Sequence, residues 1–210
     1  MLYRVETLFD GLVVNIVFIR YYILMNILMI QQTLERLSSL LRSEKRNRLL
    51  EYGLQPIQFE ALHYLSICNR YSDTPMGVTD YLNQTKGSVS QTLKILEKKG
   101  LVEKVADSKD KRVAHLKVTE SGLALINGLQ ISPLLQQASE QFSNKKFNTI
   151  DTALHDLLFA VQSANQFKSF GQCHTCMHNS KRDDGYFCEL TQEPLSINDI
   201  ALICREHLHK

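Results

Sequence analysis

Apolar residues recur at helical spacing near both ends of the chain. The first series is Ile27, Ile30, Leu34, Leu37 and Leu41, and the second is Phe147, Ile150, Leu154, Leu157 and Val161. In both series the steps are three and four residues, which places the apolar side chains on one face of a helix. Such a stripe can pack inside one subunit, but two stripes that flank a small central module favour packing between subunits. A charged run over residues 42–48 is expected to end the first helix before Gly53.

Between the two stripes the pattern predicts three helices followed by a β-hairpin. The predicted segments are a helix from Pro56 to about residue 65, a loop over 69–77, helices over 77–83 and 86–99, and strands over 101–106 and 114–118. The alternation of apolar and polar residues after Gly100 is typical of strands. A further helical region, bent near Pro133, is expected to reach about residue 144. This order of elements is that of a winged helix-turn-helix.

The local charge agrees with a nucleic-acid partner, although the chain as a whole carries little charge. The formal net charge is +2, so no overall basic field points to DNA. Residues 81–119 nevertheless contain nine Lys and Arg against four acidic residues, which gives this segment a net charge of +5. A basic patch on a mildly acidic body is the pattern expected where phosphates are contacted.

Helical geometry selects the candidate DNA contacts around residues 86–99. Thr85 can cap this helix, and its apolar positions fall on the side opposite the basic ones. The candidates, including three from the turn of the hairpin, are Thr85, Lys86, Gly87, Ser88, Ser90, Gln91, Lys94, Lys98, Lys109, Lys111 and Arg112. Gln and Lys side chains can bind base edges, whereas Gly87 would let the backbone approach a phosphate. A solvated, Lys-rich surface helix is the alternative, and the hairpin behind the helix makes it less favoured.

Four motifs in this order resemble the MarR (multiple-antibiotic-resistance regulator) family. They are 85–93 (TKGSVSQTL), 96–102 (LEKKGLV), 107–112 (DSKDKR) and 116–122 (LKVTESG), and the resemblance covers roughly residues 30–167. It implies a homodimer whose N- and C-terminal helices interlock and whose two winged modules bind an inverted repeat in double-stranded DNA. It also implies that Arg112 enters the minor groove while Asp107 and Asp110 brace the wing. Arg side chains do favour narrow, A·T-rich grooves.

The expected architecture is mainly α-helical with a small β-hairpin wing. We divide the chain into an apolar N-terminal extension (1–26), a winged helix-turn-helix with N- and C-terminal dimerisation helices (27–167) and a small Cys-rich module (168–210). Sixteen of the twenty residues in 11–30 are apolar, but Arg20 lies near the centre of the stretch. Three interpretations remain open for this stretch. The stretch is upstream sequence wrongly read as protein, a packed helix at the dimer interface, or a membrane anchor. We prefer the first of these.

Four cysteines in the tail have the spacing of a metal or cluster site. Cys173 and Cys176 form a C-x-x-C pair, which brings two thiolates onto one ion, and Cys188 and Cys204 can complete a four-sulfur site. A tail with so few large apolar residues needs such a site in order to fold. We prefer an iron–sulfur cluster over Zn²⁺, and the third interpretation is that no metal binds and the tail is flexible or its thiols act as a redox switch. His174, His178 and His207 could each replace a Cys on zinc.

Other features of the tail and of the core have simpler readings. Ser196 and Asp199 resemble the capping box of a short helix that would end at Cys204 and deliver Ile200 and Ile203 to a small core. We interpret Cys68 as a core residue. The histidines that we interpret as structural or surface residues are His63, His115 and His155.

These observations lead to a cytoplasmic, dimeric transcriptional regulator, which we expect to be a repressor. The metal, cluster or redox state of the four-Cys site would tune its DNA affinity by changing the spacing of the two recognition helices. The alternative is a regulator that binds a small organic effector in the dimer crevice and has a purely structural tail. We do not expect an enzyme, because the C-x-x-C pair lacks the βαβ context of a thioredoxin-like motif. Nor do we expect a membrane partner.

Overall fold

A computed structural model describes residues 3–107, 110–164, 168–183 and 185–210, with side chains described from residue 23 onward. The helices are α1 (Tyr3–Leu49), α2 (Pro56–Ile67), α3 (Pro75–Leu82), α4 (Lys86–Lys98), α5 (Glu120–Leu129), α6 (Pro133–Ser139), α7 (Asn144–Ala164) and α8 (Ile197–Ala201). The strands are β1 (Val102–Ala106), β2 (Ala114–Val118), β3 (Asn179–Arg182), β4 (Gly185–Cys188) and β5 (Glu193–Leu195). The chain divides after Asn47 into two compact units, which are described separately.

The first unit is formed by α1, which runs through the charged segment 42–48 and ends at Leu49. The expectation that the first helix ends before Gly53 is therefore confirmed. The helix includes the whole charged segment, because this segment contains neither Gly nor Pro and its Lys, Arg and Glu residues are good helix formers. The chain leaves the helical conformation at Gly53, which has a φ of 57°. Part of the apolar stretch 11–30 lies outside the described side chains, and those from Ile23 to Ile30 are exposed. Within the described residues, no helix is long and apolar enough to cross a bilayer.

The second unit contains the predicted helix-turn-helix, with one boundary shifted. The side chain of Thr74 accepts a hydrogen bond from the Gly77 amide, and Pro75 occupies the first turn of α3. The predicted loop over 69–77 was therefore too long, because Pro75 and Gly77 already belong to α3. Helix α4 begins where the sequence predicts, since the Thr85 hydroxyl accepts a hydrogen bond from the Ser88 amide at 3.2 Å.

The wing is a two-stranded antiparallel hairpin whose register pairs Val102 with Val118 and Ala106 with Ala114. It is attached to the helix-turn-helix because the Leu116 amide donates a hydrogen bond to the Asp73 carbonyl at 2.7 Å. The side chain of Leu116 is buried in the same core as α2 and α4. The prediction of a winged helix-turn-helix is confirmed in its elements and their order.

The predicted helix that bends near Pro133 is two helices. Helix α5 ends at Leu129, and α6 starts afresh with the Ser132 hydroxyl accepting a hydrogen bond from the Leu135 amide. The guanidinium of Arg48 donates to the carbonyls of Gly128 at 2.9 Å and Ile131 at 2.7 Å, so a cation satisfies carbonyls at and just beyond the end of α5. No residue of α7 is buried within the described chain.

The tail folds as a small module that the sequence predicted only in part. Strands β3, β4 and β5 form an antiparallel sheet, which the sequence did not predict. The capping box of Ser196 and Asp199 is confirmed, but α8 ends at Ala201 instead of Cys204. Ile200 lies in the tail's own core, whereas Ile203 packs against the winged-helix core, so the expectation for Ile203 was wrong.

An aromatic cluster also joins the tail to the winged helix. Phe170 of the tail packs edge-on against Tyr64 of α2 and Tyr81 of α3, with ring centroids 5.8 Å and 5.2 Å apart. The two tyrosine rings stack on each other at 4.5 Å. These contacts and Ile203 make the tail continuous with the core that supports α4.

Candidate nucleic-acid interface and cysteine site

Helix α4 has one buried face and one exposed, basic face. Its buried side chains are Val89, Thr92, Leu93 and Leu96. The sequence-predicted contacts Thr85, Lys86, Gly87, Ser90, Gln91, Lys94 and Lys98 are all exposed, and Ser88 is half-buried. The structure therefore places these residues together on the surface that the core does not use.

Lysines from two elements surround a groove beside α4. The groove has a volume of about 260 Å³ and lies between α3, α4 and the wing. Lys86 and Lys94 line it from α4, and Lys104 lines it from β1. Lys104 was counted in the local charge but was not among the predicted contacts, because only the fold brings β1 beside α4.

Gly87 has open space where a side chain would be. A Cβ atom added at this position would meet no atom of the protein within 4 Å. The absence of a side chain is therefore not required by packing in the described chain. It leaves the backbone at the start of α4 accessible from outside.

At the wing turn, Asp110 holds Arg112. The carboxylate of Asp110 accepts hydrogen bonds from the Arg112 Nε at 3.0 Å and from its Nη2 at 2.9 Å. This ion pair raises the pKa of the Arg112 guanidinium and lowers that of the Asp110 carboxyl. The Asp107 carboxylate accepts from the Asp110 amide at 2.7 Å. Lys111 is exposed like Arg112, while the predicted contact Lys109 lies outside the described residues.

His115 connects this turn to the helix-turn-helix, which the sequence did not predict. Its Nδ1 contacts the buried carboxylate of Asp73, between α2 and α3, and its Nε2 lies 3.0 Å from the Asp107 carboxylate. Lys117 also reaches Asp73, at 2.6 Å. The hydrogen bond to Asp73 is the main reason that the pKa of His115 is raised, and the bond to Asp107 adds to it.

Comparisons with known proteins identify this architecture. Residues 52–113 match the model of the MarR family. One similar solved structure is S. aureus MepR in its DNA-binding conformation, with 21% sequence identity and a TM-score of 0.55; the match covers 63% of this chain and 98% of the MepR chain. Another is a MarR protein from Peptoclostridium difficile, with 20% identity and a TM-score of 0.56; the match covers 64% of this chain and 88% of that protein. The S. aureus MepR–DNA complex is also similar, with 21% sequence identity and a TM-score of 0.53; the match covers 62% of this chain and 96% of the MepR chain.

The second unit contains a MarR-type winged helix. The match with the family model includes α4 and the wing turn with Asp107 and Arg112, so the expected resemblance is confirmed at the level of the fold. The cysteine tail (168–210) lies outside the residues that match the family model.

The four tail cysteines line one small cavity. Cys173, Cys176, Cys188 and Cys204 all border it, and its volume is about 20 Å³. Cys173 and Cys176 are buried, while the other two are half-buried, and none forms a disulfide. Burial raises the pKa of the Cys173 thiol, a hydrogen bond from Asn179 lowers it, and the three neighbouring thiols raise it further. The fold thus brings together cysteines that lie up to 31 positions apart, 173 to 204.

Two N–H groups already point at sulfur in this cavity. The Asn179 amide nitrogen lies 3.5 Å from the Cys173 Sγ, and the Leu208 backbone nitrogen lies 3.5 Å from the Cys176 Sγ. Hydrogen bonds to sulfur favour the thiolate, which is the form that binds metal ions. In the described part of the chain, however, no three Cys, His, Asp or Glu side chains are arranged as a metal site. The thiols therefore face a shared cavity without converging on one point.

The tail histidines differ in their availability. His207 is buried, and its ring nitrogens contact the hydroxyls of Ser169 at 2.6 Å and Thr175 at 2.8 Å. The Nδ1 of His174 contacts the Ile200 carbonyl at 3.2 Å. Only His178 among the three lines the cysteine cavity. Cys68 is buried near this module, and burial raises the pKa of its thiol to about 12, so it is an unreactive core residue.

Proposed function

We propose that this chain is a sequence-specific, DNA-binding transcription regulator that acts as a homodimer, and that it is a repressor. The observation that carries the proposal is the exposed basic face of α4 beside a wing turn in which Asp110 holds Arg112. In a MarR-type docking mode, the Lys and Gln side chains of α4 would bind major-groove base edges and Arg112 would enter the minor groove. The similarity to a MepR structure determined with DNA supports this docking.

The homodimer is supported by apolar side chains that one chain leaves uncovered. On α7, Phe147, Leu154 and Val161 are each about half exposed, at 47%, 47% and 48%. Apolar surface of this kind favours burial against a partner helix, and a second copy supplies the same stripe by symmetry. Two winged modules related by a two-fold axis would bind half-sites about one helical turn apart in an inverted repeat.

The experiment for DNA binding begins with duplexes selected from a random pool by the full-length protein. Fluorescence anisotropy over a series of salt concentrations then gives the affinity and the number of phosphate contacts. We expect enrichment of an inverted repeat and a steep salt dependence. Absence of duplex binding at low ionic strength contradicts the proposal.

Sedimentation of the full chain tests the dimer. Leu154→Asp should dissociate it, because the substitution places a carboxylate in the proposed interface. Thr152→Asp is the matched control on the same helix, since residue 152 lies about 200° from residue 154 around the axis. A monomeric wild-type chain contradicts the dimer.

We further propose that the four tail cysteines bind one Zn²⁺ ion and that its binding changes DNA affinity. Four thiols are a donor set for either Zn²⁺ or an iron–sulfur cluster. The four thiols border a cavity with room for about one water-sized probe, so a single ion would need less rearrangement of the lining than a cluster of several iron and sulfur atoms would. Zinc would draw the four sulfurs inward and would supply a structural crosslink for a module with a very small apolar core.

Anaerobic purification followed by metal analysis and a visible spectrum separates the two metals. We expect a colourless protein with one zinc per chain that is lost in Cys188→Ala. A brown protein with iron and sulfide indicates the cluster instead. Metal-free protein that folds normally and binds neither metal contradicts the tail site, while leaving the proposal for DNA binding intact.

A further inference from the structure

Asn69, at the start of the loop between α2 and α3, lies against the cysteine cavity. It is 1% exposed, and it borders the same cavity as the four thiols. Its Oδ1 accepts hydrogen bonds from the Tyr71 amide at 3.2 Å and from the Ser72 hydroxyl at 2.7 Å. Because a backbone amide can only donate, these bonds fix which end of the carboxamide is oxygen. The Nδ2 group therefore has a defined position.

This Nδ2 group is a buried donor without a hydrogen-bond partner among the described residues. An unpaired buried N–H group is destabilising, so an acceptor that reaches it would stabilise the protein. A metal-bound thiolate is such an acceptor, and N–H groups commonly bond the sulfurs of metal sites. Neutral thiols are much weaker acceptors.

We propose that the Asn69 carboxamide donates a hydrogen bond to a metal-bound thiolate of the four-Cys site, and that metal binding thereby acts on the helix-turn-helix of the same subunit. This inference rests on the proposed metal site. The inference adds Asn69, a residue of the MarR-type module, to the metal site. It also identifies the α2–α3 loop as the segment through which metal binding affects the helix-turn-helix.

The backbone around Cys204 provides a second connection to the same loop. The backbone N–H of Asn69 donates to the Ile203 carbonyl at 2.9 Å, and the backbone N–H of Ile203 donates to the Ile67 carbonyl at 3.0 Å. On the other side of this segment, the Cys204 amide donates to the Gly171 carbonyl at 3.0 Å. Residues 203 and 204 thus link the end of α2 to the cysteine cavity, so a movement of Cys204 toward an ion moves a segment bonded to Asn69.

The α2–α3 loop in turn determines where α3 sits. The Arg205 amide donates to the Ser72 hydroxyl at 2.8 Å, and the carbonyl of Ser72 accepts the Tyr64 hydroxyl at 2.8 Å. This carbonyl lies so close to Gly77 of α3 that no Cβ fits between them. Since α3 packs directly against α4, a shift of the loop is transmitted to the helix that carries the proposed DNA contacts.

Two matched variants of the full-length protein test this role. Asn69→Asp retains the acceptor for Tyr71 but replaces the N–H donor with a carboxylate. Asn198→Asp is the control, because it makes the same Asn-to-Asp change at an exposed position of α8 in the tail that does not border the cysteine cavity. Affinity for a selected duplex is measured for each protein, metal-free and at saturating Zn²⁺. We expect Zn²⁺ to change the duplex affinity about tenfold in the wild type and in Asn198→Asp, but not in Asn69→Asp.

A measurement on the wild type makes the test independent of how well Asn69→Asp folds. The side-chain amide protons of Asn69 are followed by NMR while Zn²⁺ is added, and one of them should shift downfield as the N–H···S bond forms. Unchanged Asn69 amide signals with zinc bound overturn the inference. An Asn69→Asp protein that retains the full zinc effect also overturns it, while the proposed metal regulation stands. If zinc does not bind to the cysteines, or does not change the duplex affinity of the wild type, the result contradicts both the proposed metal regulation and this inference.

Discussion

The Arg205 guanidinium lies 2.7 Å from the Asp80 carboxylate, so the cysteine tail forms an ion pair with α3. Both side chains are about a quarter exposed. The pair joins residues 125 positions apart, directly after Cys204 and in the middle of the helix that supports α4. The tail is therefore fastened to the helix-turn-helix by charge as well as by the apolar contacts of Phe170 and Ile203.

A double-mutant cycle measures the contribution of this ion pair. Arg205→Ala and Asp80→Ala should each lower the free energy of unfolding, and their coupling should be about 1 kcal/mol, because the pair is only partly shielded from water. The measurement is denaturant unfolding of both single variants and the double variant. A second pair of the tail, Arg182 with Glu189, is the control, since it does not reach α3. Additive effects of Arg205→Ala and Asp80→Ala would show that the contact contributes nothing.

Two glycines in neighbouring helices should respond in opposite ways to Ala. Gly77→Ala places a Cβ against the Ser72 carbonyl and the Tyr64 hydroxyl, so we expect a loss of about 2–4 kcal/mol in unfolding free energy. Gly87→Ala meets no atom and lies in a helix, so we expect a gain of about 0.5–1 kcal/mol. Thermal and denaturant unfolding measure the free energy of unfolding of Gly77→Ala and of Gly87→Ala relative to the wild type.

The same Gly87→Ala protein also tests the role of the exposed backbone at α4. If a phosphate approaches Gly87, the added methyl group should weaken duplex binding although the protein is more stable. Unchanged DNA affinity would remove Gly87 from the interface. A destabilised Gly87→Ala would contradict the open surroundings of this residue.

Local patterns made the helix-turn-helix predictable, whereas long-range pairs had to be seen in the structure. The Thr85 cap and the buried face of α4 follow from spacing within one helix. His115 and Asp73 are 42 positions apart, and no periodicity indicates that they meet. The same holds for Asn69, which belongs to a loop yet borders a cavity formed by the tail.

The tail shows a different limit of sequence reasoning. Its strands contain only three or four residues and lack a clear alternation, so they give no strand signal. The cysteine spacing predicted one site, and the four thiols do border one cavity, although they do not converge on one point. The packing of the tail on α2 and α3 was not predictable. Ile203 illustrates this, because its neighbour Cys204 faces the cavity while Ile203 faces the winged-helix core.

Arg112 and Lys94 should differ in how their loss affects DNA binding. Arg112→Ala should weaken binding roughly ten- to a hundredfold, chiefly at sites with A·T-rich flanks, because a minor-groove Arg reads groove width. If Lys94 contacts a phosphate, Lys94→Ala should reduce the slope of log affinity against log salt by about one, similarly for all sequences. If Lys94 contacts a base, the slope changes less and the base preference relaxes. Anisotropy titrations with matched duplexes distinguish these outcomes, and normal binding by both variants would contradict the proposed docking.

The contact between His115 and the two carboxylates should make the wing sensitive to pH. Asp73, and secondarily Asp107, raise the pKa of His115, while Lys117 opposes them. Because the folded-state pKa lies above the unfolded value, the stabilisation is complete below about pH 6.5 and is lost as the pH rises through the raised pKa. His115→Gln, which cannot be protonated, should therefore be less stable than the wild type at pH 6 and closer to it at pH 9. The difference should be at most about 1 kcal/mol, since solvent screens a partly exposed pair.

Denaturant unfolding at several pH values measures this effect, and hydrogen exchange of the wing amides locates it. His155→Gln is the control, because His155 is exposed on α7 and contacts Asp151 of the same helix. The wing amides of the wild type should exchange faster as the pH rises, beyond the intrinsic increase in exchange rate, whereas those of His115→Gln should follow the intrinsic rate alone. An identical pH dependence of stability in the wild type and in His115→Gln would mean that protonation of His115 does not hold the wing to the α2–α3 loop.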